Sequence, residues 1–319
     1  MFKAVFITVL LTAAVAIFGA LAWTYAVHGE YGLHVVWRRG GSVWPVVSRE
    51  DPRLTPAARL ALHGAVATSG DVTWAPRAPG FESGDLPLLV DGKEADRLLL
   101  ARIDPKLWRI SAHSAPAGDR DLAGWMRTLG AALVVNGSYY GEKGEPDTPF
   151  RGGGVDLGPT EYHGSHGAFV SNLGEARIVD LEGVDWRKAF DGASDAFVSY
   201  PLLLDRNGKS RASPSQWLAN RSFIAQDRAG RIVIGTSADA VLTLANLANV
   251  LKTPQLDLAL ALNLDGGPVA CQAIDVGDFQ RKTCGRMEIQ ADATQVRLLQ
   301  PVFSGGDWAL PVVLAVTPN

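Results

Sequence analysis

The sequence predicts an α+β fold: a large mixed or antiparallel sheet with a few helices, preceded by one N-terminal transmembrane helix. Three observations point there. Residues 4–27 hold no charged side chain and are rich in Ala, Val, Leu, Ile and Phe, which at about 1.5 Å per residue is enough to cross the hydrocarbon core of a bilayer. Beyond them, short apolar runs alternate with clusters of Gly, Pro, Asn and Asp, the pattern of strands joined by turns. Three stretches carry a helix start. At 319 residues, 47% apolar and 20% charged, the chain has material for one large core or two smaller ones.

The apolar segment, within residues 1–30, reads as a membrane anchor or as a secretory signal. Its length suits an anchor, whereas Ala20-Leu21-Ala22 offers a small-residue pattern for cleavage. Trp23 and Tyr25 suit a membrane interface. Lys3 before the segment and Arg38 and Arg39 after it leave the orientation open. Residues 31–71, with Gly40-Gly41, Pro45 and Pro52, read as a juxtamembrane connector in which Thr55-Pro56 starts a short helix through Ala65. The folded domain is expected over residues 72–300, followed by a C-terminal tail, residues 301–319.

Within the domain, residues 98–103 and 108–112 read as strands around the turn Asp104-Pro105. Residues 121–129 suit a helix ended by Gly130, with the charges Asp119-Arg120-Asp121 as its solvated start. Residues 131–135 form a buried strand that stops at Asn136-Gly137. From 152 to 207 sheet dominates, with β-like runs at 168–171, 177–181 and 197–204. Two further strands, 223–226 and 231–236, flank a turn at 227–230. Thr243 caps a helix to about Leu251, and Pro254 follows. The Leu- and Ala-rich run 256–264 suits a strand buried on both faces and ends at Asp265-Gly266-Gly267.

A net charge of −3 leaves no basic surplus for a phosphate backbone, so nucleic acid is excluded as the main partner. The only cysteines, Cys271 and Cys284, flank Gly277-Asp278, a turn that brings them together. A disulfide in an exported protein is one reading, and two unrelated buried thiols are the other. His163 and His166 bracket a Gly-Ser turn without a third ligand, so no metal or cofactor is expected. A loop that hydrogen-bonds its backbone is the plainer reading there, with substrate contact by His166 second.

Two strand ends place a short polar side chain where an apolar run stops: Asn136-Gly137-Ser138-Tyr139-Tyr140 and Asn263-Leu264-Asp265-Gly266-Gly267. Each alone is an ordinary turn. With Asn220-Arg221-Ser222 between them, followed by a strand and turn, they resemble the phosphodiester glycosidase family. Leu100-Ala101-Arg102-Ile103-Asp104-Pro105 and Ser165-His166-Gly167-Ala168-Phe169 add weaker support. The resemblance spans roughly residues 72–299. The chain differs in carrying Pro268-Val269-Ala270 after Asp-Gly-Gly, where family members often have small hydroxyl residues or more glycine.

The resemblance implies hydrolysis of a sugar 1-phosphodiester between the anomeric carbon and the phosphate oxygen, by a domain held in the cell envelope outside the cytoplasm, or secreted if the segment is cleaved. A phosphate-linked sugar or envelope glycan is the implied partner. A phosphodiester is an anion, for which Arg221 is the bidentate clamp. An oxocarbenium-like transition state needs a carboxylate, for which Asp265 is the candidate and Glu161 the second. Asn136 is placed to hydrogen-bond the sugar or phosphate and Tyr139 or Tyr140 to pack on the ring. Gly137, Gly266 and Gly267 let backbone approach the ligand. The alternative is a non-catalytic envelope protein that binds polysaccharide or peptidoglycan. A general phosphoesterase would call for a metal cluster that these residues do not offer.

Overall fold

An uncharged apolar run satisfies its backbone within a bilayer only as a helix or a closed barrel. In the computed structural model it is a helix, Phe2–Arg38, whose segment Val5–Ala26 is a candidate membrane span with none of it buried. The structure describes residues 2–38, 42–118, 120–164, 166–301 and 307–319. Arg39, Gly40, Gly41, Asp119 and Ser165, named above, lie outside the described residues, as do residues 302–306.

The remainder is built on β-structure, and every strand pairing among the described residues is antiparallel. An eight-stranded sheet runs in the order Leu202–Leu204, Leu258–Asn263, Ser222–Asp227, Ile232–Ser237, Lys93–Ile103, Phe81–Val90, Thr68–Ser69, with Thr73–Ala78 also paired to Phe81–Val90. A five-stranded sheet runs Phe279–Cys284, Cys271–Val276, Leu133–Asn136, Val312–Pro318, Trp108–Ser114. A second five-stranded sheet runs Val155–Leu157, Phe150–Gly152, Asp195–Ser199, Gly167–Asn172, Glu175–Asp180. A small four-stranded sheet joins Gln216–Ala219, Glu288–Ala291, Val296–Leu298 and Val46–Val47.

Period-two alternation decides which side each residue serves. Ile103, Ile224 and Ile234 of the large sheet, Leu133, Val135 and Leu314 of the first five-stranded sheet, and Phe150, Phe169 and Phe197 of the second meet in one shared core. The intervening residues face outward and are covered by helices. Leu98, Leu100, Phe223 and Val233 pack under the helix Leu244–Val250. Val134, Ala273 and Val313 pack under Trp125 of the helix Leu122–Leu129. Val170 and Val198 pack against Phe190, which closes the short helix Trp186–Ala189.

The caps foreseen from Thr55 and Thr243 are made, and Asp121, read as part of a solvated helix start, is a cap as well: the three side chains accept from the amides of Ala58 (3.1 Å), Asn246 (3.1 Å) and Gly124 (2.7 Å). The first helix, Pro56–Leu62, stops short of Ala65 because the chain turns at Gly64 with φ +93°. Its Leu62 packs with Leu54, Leu218 and Ile289, so part of the stretch read as a connector contributes core.

Three other expectations are corrected. The run 197–204 is not one strand. It divides at Tyr200-Pro201 into Asp195–Ser199 and Leu202–Leu204, which belong to different sheets, since proline offers no amide to continue a ladder. The run 256–264 begins its strand only at Leu258, after the turn Pro254–Leu256 and Asp257 at φ +47°. Residues 312–318, within the expected tail, form a central strand between Leu133–Asn136 and Trp108–Ser114. Their apolar alternation fits them to two facing layers of core.

Candidate active site

The strands Leu133–Asn136 and Leu258–Asn263 belong to different sheets, yet their ends meet. The amide of Asp265 donates to Gly137 O (3.1 Å), and Asn136 Nδ2 donates to Asp265 O (2.8 Å). Asn136 Oδ1 accepts from the amide of Cys271 (3.2 Å). Asn136 is 2% exposed, so its amide fastens the Asp265 loop to the sheet and is taken up in doing so. That differs from the sugar- or phosphate-binding role expected for it.

Glycine at 266 and 267 follows from crowding. The amide of Gly267 donates to Asn220 O (2.9 Å), which draws the loop against the Asn220-Arg221 corner. A Cβ on Gly266 would lie 3.3 Å from Arg221 Nη1, and one on Gly267 would fall within the Glu288 carboxylate; Gly267 also has φ +69°. Asp265 caps its own loop, its Oδ1 accepting from the Gly266 amide (2.8 Å). Pro268 and Val269 follow in a buried single turn, Gly267–Val269.

Arg221 is 7% exposed. Its Nε donates to Leu242 O (3.1 Å) and Nη2 to Trp217 O (2.7 Å). Nη1 makes no hydrogen bond among the described residues and lies beside Gly266. Backbone carbonyls therefore hold most of the fork, which leaves Nη1 alone for a ligand in place of the two prongs expected of a bidentate clamp. Burial lowers its pKa from the ordinary value, opposed by Tyr139, Glu288 and Asp265; a guanidinium nonetheless stays charged.

Glu288 lies on the other side of the glycine loop. Trp217 Nε1 donates to its Oε1 (2.7 Å). Burial pushes its carboxyl pKa up, against the lowering effects of the Trp217 N–H and the Arg221 charge. Sequence reasoning missed it, and the only signal was a carboxylate inside the alternating strand Glu288–Ala291.

An aromatic wall borders the same corner. Tyr139 stacks on Tyr200 with centroids 4.5 Å apart, Tyr200 meets His166 at 4.7 Å, and His166 meets Tyr162 at 5.9 Å. Asn263 Nδ2 donates to Tyr139 Oη (2.7 Å) and to Tyr200 O (3.2 Å). Burial, reinforced by the Asp265 charge, raises the pKa of Tyr139, so its phenol keeps its proton. Burial and the Arg211 charge lower the pKa of His166, which favours neutral imidazole. Within this corner, Asn263 Oδ1 is buried without a hydrogen-bond partner among the described residues.

Two expected residues lie elsewhere. Tyr140 turns away from Tyr139 and packs on the cores of the first five-stranded sheet. Glu161 is a surface residue whose carboxylate meets Arg187 at 3.4 Å, with its side chain 79% exposed. Cys271 and Cys284 are cross-strand partners joined by a disulfide, with Gly277-Asp278 as the hairpin turn.

These features define a β-rich domain whose corner brings together a buried cation, two carboxylates and a wall of rings. Residues 129–297, more than half of the chain, match the family model of phosphodiester glycosidases. The chain belongs to the phosphodiester glycosidase family. Among solved structures it is similar to a hypothetical protein from Synechocystis, with 14% identity over 78% of this chain and 64% of that one, TM-score 0.47. It is also similar to the zebrafish N-acetylglucosamine-1-phosphodiester α-N-acetylglucosaminidase catalytic domain auto-inhibited by pro-peptide, with 12% identity over 87% of this chain and 88% of that one, TM-score 0.49. The chain thus spans 64% of the Synechocystis protein. No curated protein matches it.

Proposed function

We propose that this domain hydrolyses a sugar 1-phosphodiester at the bond between the anomeric carbon and the phosphate oxygen, and that it does so outside the cytoplasm on a retained N-terminal anchor. The observation that carries the reading is the packing of Asp265, Arg221 and Glu288 around one glycine loop. Arg221 Nη1 and the loop backbone receive the phosphate. Asp265 faces the anomeric carbon and stabilises its positive charge as the bond breaks. Glu288 takes the place given to Glu161. Burial pushes its carboxyl pKa up, which favours the acid form as a donor to the phosphate over a carboxylate that would repel it. Tyr139 and Tyr200 wall the ring, with the Tyr139 phenol as a further donor.

Turnover of a hexosamine 1-phosphodiester by the purified full chain tests the reading. Asp265→Asn keeps size and most hydrogen bonding, and is expected to lower kcat by roughly a hundredfold or more with an unchanged fold. Full activity in that variant would place the carboxylate elsewhere. Binding without turnover across phosphodiesters and neutral glycosides would instead support the non-catalytic glycan-binding alternative, for which the same aromatic wall would serve.

A further inference from the structure

The sheet face that carries Glu288 continues outward into an apolar surface. Register sets Trp217, Gln290, Arg297 and Val46 in one cross-strand row, and residues directly opposite in antiparallel strands share a face. The neighbouring row, Leu218, Ile289 and Leu298, is buried against Leu54 and Leu62. The Trp217–Val46 row therefore faces solvent. Val46 is 62% exposed, Val43 47%, Trp217 39% and Trp44 37%. The Trp44 ring meets Trp217 edge-on at 6.3 Å. Trp217 in turn holds Glu288 through its indole and Arg221 through its carbonyl, so the patch borders the candidate site directly.

Two observations say what covers this patch. It follows closely on the apolar helix, which ends at Arg38. The chain from there to Val43 reaches at most about 18 Å, comparable to the roughly 18 Å by which the helix extends past Ala26 at about 1.5 Å per residue. The patch can thus return to the surface from which the helix emerges. Its composition also suits that surface. Tryptophans seat at the membrane interface, and Arg297 is exposed with no ion pair among the described residues, as a partner for anionic headgroups requires.

We infer that Val43, Trp44, Val46 and Trp217 dock on the bilayer that holds the anchor, and that the site takes sugar 1-phosphodiesters whose aglycone is a membrane lipid. This rests on the retained anchor and the hydrolase reading above. A lipid aglycone keeps its chain in the bilayer and its phosphate at headgroup level, so a site beside the docked patch reaches the phosphate without extracting the chain. Water oxygen ends on the anomeric carbon, the bond from that carbon to the bridging oxygen breaks, and the lipid leaves with its phosphate as a monoester. The water supplies the sugar's hydroxyl and one proton, which passes to the monoester or to solvent.

The experiment uses the full chain in nanodiscs of phosphatidylethanolamine and phosphatidylglycerol. A nitroxide on Val46→Cys is compared with one on Leu173→Cys, which lies 73% exposed on a turn of another sheet. The label at 46 is expected to be accessible to oxygen and shielded from an aqueous nickel chelate, and the label at 173 the reverse. Equal access to the chelate at both positions would overturn the docking, as would recovery of protein from cells without residues 1–26. In the same discs, kcat/KM for a lipid-linked hexosamine 1-phosphodiester is expected to exceed that for its methyl analogue at least tenfold. The V43S/V46S variant should lose that preference and keep the methyl rate. Equal rates in the unaltered protein would overturn the lipid substrate. Turnover of neither diester would overturn the hydrolase reading and the substrate with it, while the nitroxide readings decide the docking alone.

Discussion

The indole N–H of Trp217 donates to Glu288 Oε1 at 2.7 Å, holding down a pKa that burial pushes up. A donor of this kind favours the carboxylate, so removing it favours the acid. With Glu288 active as the acid, kcat/KM for a soluble phosphodiester falls as pH rises through its pKa. Trp217→Phe should move that alkaline limb to higher pH, and Glu288→Gln should remove it while lowering kcat by about 10²–10⁴-fold. A limb that stays in place in Trp217→Phe would assign the titration to another group.

Asn136→Ala deletes the two side-chain bonds by which Asn136 ties the Asp265 loop and the amide of Cys271 together. Each such loss costs about 1–3 kcal/mol, so denaturant unfolding should show a loss of about 2–6 kcal/mol. Activity should fall through loop displacement, in kcat more than in KM.

Arg221→Lys preserves charge but not the fork that meets Leu242 O and Trp217 O. The variant should lose about 1–3 kcal/mol of stability and bind phosphodiesters at least tenfold more weakly, with neutral-sugar binding little changed. Calorimetry on both ligand types checks it.

Asp96 is buried, its Oδ2 has no hydrogen-bond partner among the described residues, and its pKa is raised to about 7, chiefly by burial with a smaller push from Asp239. A carboxyl whose folded pKa exceeds its unfolded value of 3.8 favours the fold below that pH. The benefit is lost as pH rises through about 7. Asp96→Asn should therefore be near neutral at pH 4 and stabilising at pH 8, by at most about 4 kcal/mol. Unfolding midpoints across that range test it, and a pH-independent difference would refute it.

How far the sequence could be read depended on the distance over which each signal is local. Capping by Thr55, Asp121 and Thr243 needs only a few neighbours, and those helices were legible. The Asp265-Gly266-Gly267 stop was legible too, since a polar and glycine cluster ending an apolar run is itself a local pattern. Glu288 was not, because its burial comes from Trp217 and Gly267, each on another segment. Glu161 drew notice by lying near His163 and His166 in sequence, while its partner Arg187 follows only after two strands of the second five-stranded sheet. Tyr200 was hidden in an apolar run, and its stacking on Tyr139 exists only once Pro201 has sent the chain into another sheet.

The strand Val312–Pro318 lies against the one that ends in Asn136, although far downstream of it in the chain. During synthesis the Asn136 strand therefore has a bare hydrogen-bonding edge until residues 312–318 have been made, an invitation to pair with another chain. Pairings of such long separation also form slowly. Assembly of the Asp265 corner is consequently a late event in folding, and the open edge stays exposed to mispairing until then.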